Sequence, residues 1–293
     1  MSFRIVKINN RCKLEVQLGY LVCRNDKETR ILLDEISLLI IESQQVCITT
    51  ALLSELINHK VRVILCDNKH NPQSEILPYH ACFDTRNKII SQINWSQKRK
   101  DKLWKLIIYQ KIRNQAIVLS YIKEEKNYSL LRQYLLEIED GDVSNREGLA
   151  AKQYFYSIFG RGFDRNNDSD IRNIFLNYGY TLLLSLVNRE ISNCGYLTAL
   201  GIHHIGKENP YNLGCDFVEP FRPFVDLAII KGTINENNYK SKLIELLTEE
   251  ISSNSNNSIL QNAVHDYCLS AFSFLNNENE NTIINITFKN EQL

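Results

Sequence analysis

The hydrophobic period of this chain changes once, and that change limits the folds open to it. Up to about residue 78 the apolar residues alternate with polar ones in short runs. Phe3 to Ile8, Leu14 to Cys23 and Arg30 to Leu33 read as strands broken by turn residues. Ile36 to Ile41 is almost continuously apolar, as expected of a strand covered on both faces. Thr49 and Thr50 precede ALLSELINH, a short helix with a threonine cap, and Val61 to Cys66 is a further strand that stops at Asp67 to Pro72. From Asn87 the spacing becomes helical. KLWKLIIYQKIRNQAIVLSYI carries apolar residues at three- and four-residue steps over many turns. Helices are also expected over Tyr128 to Ile138, Asn145 to Phe159, Ile171 to Cys194, after Pro220, and over Ile259 to Leu275. GRGFDRNNDSD (160–170) and SSNSNNS (252–258) read as loops, and the Asn/Glu-rich end as a mobile segment. The predicted class is α+β: a small β-rich domain over 1–78, a linker over 79–86, and a larger, mostly helical domain over 87–293.

At 293 residues and 44% apolar, the chain can bury a substantial core. Its net charge of zero conceals an uneven distribution. Asp84 to Tyr128 holds 11 Lys and Arg against 4 Asp and Glu, whereas Ile229 to Leu293 holds 4 against 8. The eight cysteines form no CxxC pair and no zinc spacing. The N-terminus lacks the apolar core of a signal peptide, and no apolar run nears the roughly 20 residues of a membrane span. These features predict a cytoplasmic protein with reduced thiols and no membrane partner.

Chemistry concentrates in LGIHHIGKENPYNLGCDFVEPFRP (200–223), which holds His203, His204, Asp216, Glu219, Lys207 and Arg222. Gly201 and Gly206 allow an irregular backbone around the adjacent histidines, of which one at most is expected to be a ligand. Asn212 is a candidate cap for the turn that carries Asp216 and Glu219 on one face, and Pro220 requires that turn to kink or restart. Aromatic neighbours favour burial of the acidic pair, and a buried pair needs a cation, either a metal or Arg222. Far upstream, Ser144-Asn-Arg-Glu147 spells a capping box, which by itself would make Glu147 a helix-start device. Against this, Ala150, Ala151 and Tyr154 share its face and would let another element approach the carboxylate. Two carboxylates and an imidazole suit Mg²⁺ or Mn²⁺ and phosphate chemistry. Arg86, Lys88, Lys98, Arg99, Lys100, Lys102, Lys105, Lys111 and Arg113, mixed with Trp95 and Trp104, form a one-sign cluster of the kind that contacts DNA, although the spacing of Trp104 places it in a core.

Five words of this sequence, KIRNQ (111–115), EGLAAKQYF (147–155), LNYGYTLL (176–183), LGIHHIGK (200–207) and DFVEPFRPFVD (216–226), occur in an order and at spacings that resemble the CRISPR-associated integrase family, the spacer-acquisition subunit. The HHIGKxNxxNL wording is similar to type II members. Many members carry a proline before LNYGY, where this chain has RNIF (172–175). The resemblance implies that Glu147, His204 and Glu219 are the catalytic metal ligands for Mg²⁺ or Mn²⁺, with Asp216 a further acidic group beside them. Lys207, Arg222, Lys152, Arg146, Arg86, Lys98 and Arg99 would contact phosphates or DNA. It implies a metal-dependent endonuclease and transesterase that joins the 3′-hydroxyl ends of protospacer double-stranded DNA into the repeat of a CRISPR array. It also implies a homodimer built through the N-terminal domain, a small ferredoxin-like adaptation partner, and an association with the type II effector nuclease. Competing readings are a non-catalytic DNA-binding scaffold of the adaptation complex and an unrelated hydrolase of small phosphate esters.

Overall fold

A computed structural model describes residues 4–68, 70–76, 84–277 and 282–289. The chain divides into two compact units, Met1–His80 and Ala81–Leu293. Phe3 of the expected first strand, residues 79–83 of the expected linker, and 278–281 and 290–293 of the expected mobile end lie outside the described residues.

The first unit runs β1 (Arg4–Ile8), β2 (Cys12–Gln17), β3 (Tyr20–Arg24), β4 (Glu28–Leu32), β5 (Ile36–Ile41), β6 (Val46–Ile48), α1 (Thr50–Asn58), β7 (Arg62–Cys66) and β8 (Pro72–Ile76). One sheet has the order β1-β5-β7-β8 and the other β4-β3-β2-β6. Every residue of β5 is buried, because β5 is a central strand paired in parallel with β1 and β7. Leu14, Leu21, Leu39, Leu52, Leu56 and Val63 belong to one apolar core fed by both sheets and α1. Two expectations change here. Leu14 to Cys23 is a hairpin, not one strand, because Leu18 and Gly19 both take positive φ and reverse the chain between β2 and β3. Pro72–Ile76 forms an additional antiparallel strand, with proline at its first position, where a missing N–H is tolerated.

The second unit is mainly helical: α2 (Thr85–Asn94), α3 (Gln97–Tyr121), α4 (Glu125–Glu137), α5 (Arg146–Phe159), α6 (Ile171–Asn193), α7 (Asn212–Val218), α8 (Arg222–Ile230), α9 (Tyr239–Glu245) and α10 (Leu260–Asn276). A 3₁₀ turn over Glu219–Phe221 joins α7 to α8, so the chain restarts at Pro220 as its missing N–H demands. α3 starts where the Ser96 side chain accepts the Arg99 N–H, and α6 where Asp170 accepts that of Arg172. Trp104, Ile107, Ile108, Lys111, Asn114 and Val118 recur along the buried face of α3. The polar run 252–258 is not a plain loop. It turns between β9 (Glu250–Ser253) and β10 (Asn256–Ile259), and β11 (Ile286–Thr287) adds to the other edge of β9. Asn and Ser there satisfy their hydrogen bonds in a hairpin as readily as in water, so composition alone did not separate the two. Among the described residues no helix is long and apolar enough to cross a membrane.

Candidate active site

Glu147 lies in the first turn of α5, and the capping box its sequence spells does not form. Asn145 is the cap, in left-handed conformation, and its side chain accepts the Gly148 N–H. Asp142, reached through a positive-φ turn at Gly141, accepts the N–H groups of Arg146 at 2.8 Å and Glu147 at 2.9 Å. The Ser144 hydroxyl, buried, has no hydrogen-bond partner. The helix start is therefore satisfied by Asn145 and Asp142, which leaves the Glu147 carboxylate free to face inward. Ala150 and Tyr154, one and two turns on, are fully buried and let the neighbouring elements close on that face.

His204 is presented by the loop between α6 and α7, which four side chains hold from outside. Gln92 on α2 binds the backbone of Leu197 and Leu200. Asn212 does not cap α7. Its oxygen accepts the Gly206 N–H, and its amide donates to the carbonyls of Ala199 and Gly206, so it cinches the loop. His203 stacks on Trp104 of α3, with ring centroids 4.1 Å apart and planes within 5°. Asp216 accepts the N–H groups of Ile202, His203 and His204 and the Nδ1–H of His204 at 2.7 Å. The two histidines thus point to different partners, as their adjacency predicts. Asp216 has no exposed surface, so it orients the imidazole and presents no ligand oxygen of its own. With Nδ1 engaged, Nε2 is the nitrogen left for other chemistry.

Glu219 sits on the 3₁₀ turn and is 2% exposed. Lys111 of α3 joins it to Glu147: its ammonium is 2.5 Å from Glu219 Oε2 and 2.6 Å from Glu147 Oε1. Arg222, one turn on, contacts Glu219 Oε1 at 3.1 Å and lies over the Tyr180 ring. Asn114, one turn beyond Lys111, donates to the Pro220 carbonyl and ties α3 to the same turn. Burial by itself would raise the Glu219 pKa, but Arg222 and Lys111 outweigh it and hold the carboxylate below its ordinary range. Burial likewise opposes charge on Lys111, and Glu219 and Glu147 reverse that. The His204 pKa is raised, first by its hydrogen bond to Asp216 and then by the charges of Asp216, Glu219 and Glu147. Both glutamates are therefore near enough to act on the imidazole.

The donor types fit a hard or borderline divalent ion: two carboxylates drawn to one cation, and an imidazole with one nitrogen fixed. As they stand, no three His, Cys, Asp or Glu side chains among the described residues are grouped closely enough to hold a metal ion. Lys111 stands between the two carboxylates instead.

The basic residues named from sequence meet varied fates. Arg86, Lys98 and Lys207 are exposed. Arg99 faces the protein. Its guanidinium donates to the carbonyls of Phe274 and Asn277 and lies 3.8 Å over the Phe274 ring, which fastens the end of α10. Arg146 pairs with Glu137 and covers Tyr134, Lys152 lies over Tyr156, and Arg222 is engaged by Glu219. Both tryptophans are buried, so neither is a stacking platform for bases. Lys111 is the site residue that sequence reasoning left among the surface cations. Its signal was present: it falls on the apolar face of α3, where a lysine needs a buried partner.

A family model described as CRISPR associated protein Cas1 matches residues 6–252. The CRISPR-associated endonuclease Cas1 of Neisseria meningitidis serogroup C (strain 8013) is 38% identical over 232 residues, 78% of this chain and 76% of that protein. A Cas1 endonuclease of Pyrobaculum aerophilum is 29% identical over 237 residues, 74% of this chain and 78% of that protein. Among solved structures, a casposase bound to integration product superposes with a TM-score of 0.78 at 19% identity, covering 95% of this chain and 92% of that one. A Cas1 protein from Thermotoga maritima superposes with a TM-score of 0.75 at 14% identity, covering 98% and 100%. Taken with the α+β architecture, these matches place the chain in the CRISPR-associated Cas1 family.

Proposed function

We propose that this chain is a metal-dependent DNA integrase and endonuclease, which joins the 3′-hydroxyl ends of protospacer DNA into a CRISPR repeat by transesterification. The observation that carries the reading is the approach of Glu147 and Glu219, from separate elements, to one cation beside an imidazole oriented by a buried aspartate. Glu147, Glu219 and His204 would hold Mg²⁺ or Mn²⁺. Such an ion supplies Lewis-acid stabilisation at phosphorus and favours the deprotonated attacking oxygen. The protein's own part is positioning. Asp216 keeps His204 in one tautomer and one orientation, while Arg222 and Lys207 offer positive charge to the phosphate. The nuclease names of the relatives and the integration product named with the casposase agree with this chemistry.

The reading includes a protein partner. Two superposing structures are named as Cas6-RT-Cas1–Cas2 complexes, which supports a complex with a second protein; that this partner is a small ferredoxin-like subunit rests on the family resemblance. A homodimer, a cytoplasmic location and an association with a type II effector are part of the same proposal and rest on the family resemblance.

The test uses purified protein and a branched DNA that mimics a half-integrated spacer. Strand transfer in Mn²⁺, Mg²⁺ or EDTA is compared with His204→Ala. Metal-dependent joining that the variant loses supports the proposal. If the wild type binds the DNA and leaves every strand intact in all metals, catalysis is excluded and a scaffold role takes its place.

A further inference from the structure

The Lys111 ammonium contacts one oxygen of Glu147 and one of Glu219 at 2.6 and 2.5 Å. Mg²⁺ takes carboxylate oxygens at about 2.0–2.1 Å, so an ion bridging the same two oxygens would overlap the volume that Nζ fills. Each Glu219 oxygen faces a cation, Arg222 at Oε1 and Lys111 at Oε2, yet the buried Oε2 has no hydrogen-bond partner, so its contact with Lys111 is an ion pair alone. The charges already balance: Glu147 and Glu219 face Lys111 and Arg222. A divalent ion added to those four would bring two further positive charges into a pocket whose glutamate is 2% exposed, where the buried Asp216 beside His204 supplies at most one more negative charge.

One of the two cations must yield. Arg222 is a planar group held over the Tyr180 ring with its carboxylate at i,i+3, whereas lysine is a compact point charge with rotatable donors on a flexible stem. We propose that Lys111 is a placeholder cation, which holds Glu147 and Glu219 together and must swing out of the space between them before a divalent ion can enter. The proposal rests on the metal-dependent reading above. It adds that metal loading is a displacement, opposed by a residue of the chain itself.

The test measures Mn²⁺ affinity directly, by the loss of the free-ion signal in electron paramagnetic resonance, on the full chain without DNA. Lys111→Met and Lys111→Gln remove the competitor and are expected to tighten Mn²⁺ binding about tenfold or more. Lys111→Arg keeps both ion pairs with a group that is always charged, and is expected to bind Mn²⁺ more weakly than the wild type. Lys126→Met, at an exposed lysine of α4 outside the bridge, should change the affinity less than twofold. The arginine variant retains the charge balance, so it reports even where a neutral variant fails to fold. Neutral variants that bind Mn²⁺ no better than the wild type, or an arginine variant that binds it better, overturn the placeholder role. Failure of the metal reading itself looks different: His204→Ala and Glu147→Gln would leave Mn²⁺ affinity unchanged whatever the Lys111 variants do.

Discussion

Asp216 accepts three backbone N–H bonds and the imidazole of His204 with no surface exposed to water. Replacing it by alanine leaves those donors without acceptors, so Asp216→Ala is expected to lower the unfolding free energy by about 3 kcal/mol. Urea denaturation measures this, and a loss below about 1 kcal/mol would contradict the buried-orienter role. Asp226 tests a different balance. Burial pushes its pKa from 3.8 up to about 6, against the hydrogen bonds that Tyr180 and Tyr154 donate to it. A carboxyl whose folded pKa exceeds its unfolded one contributes stability below the unfolded pKa and loses it as pH rises through the folded one. The wild type should therefore lose at most about 3 kcal/mol through this group between pH 4 and pH 7. Asp226→Asn should lack that loss, so its stability relative to the wild type should rise across the window. A pH-independent difference between the two proteins would show that Asp226 does not titrate there.

At the scale of elements, two glycines allow close approaches that a methyl group would block. A Cβ on Gly179 of α6 would stand 2.5 Å from Val225 Cγ1 of α8, so Gly179→Ala must push two helices apart. Overpacking of this kind costs about 1–3 kcal/mol, readable as a lowered melting temperature. A Cβ on Gly201 would stand 2.3 Å from the His204 carbonyl and 2.8 Å from Asp216 Oδ2. Gly201→Ala should therefore displace His204 while leaving the helical scaffold folded. Strand transfer is expected to fall about 100-fold with little change in circular dichroism, since catalysis is sensitive to displacements near 1 Å. Wild-type rates in this variant would mean that the loop adapts and that its tightness has no catalytic role.

Across the whole molecule, the basic residues separate into those that hold the fold and those open to a polyanion. Arg99 is committed to the end of α10, whereas Lys98, its neighbour on α3, is exposed. Lys98→Ala is expected to reduce the slope of log K against log salt for DNA binding by about 1, with unchanged stability. Arg99→Ala should do the reverse, lowering the melting temperature and leaving the salt slope intact. Equal effects of the two substitutions on salt dependence would place Arg99 on the DNA after all.

Much of this was legible in the order of residues. Periodicity located α1, α3, α5, α6 and α10 to within a few positions, because one buried face imposes its spacing directly on the sequence. The words around Glu147, His204 and Glu219 marked the candidate site for the same local reason: glycine, proline and paired acids constrain backbone and charge over a few residues. Other features depended on partners far along the chain. Ser144 and Glu147 spell a capping box, yet Asn145 and Asp142 hold the helix start. Asp216 reads as one more acidic group beside the site, and only the fold shows that its acceptors are filled by the loop that carries His204. Arg99 and Lys98 are indistinguishable by composition, and only the arrival of α10 separates them. Lys111 reads as one more surface cation until α3, α5 and the turn at Glu219 converge on it. Spacing along a chain reports which face a residue occupies, but the charge it meets there is set by segments 36 and 108 residues away, which only folding brings into range.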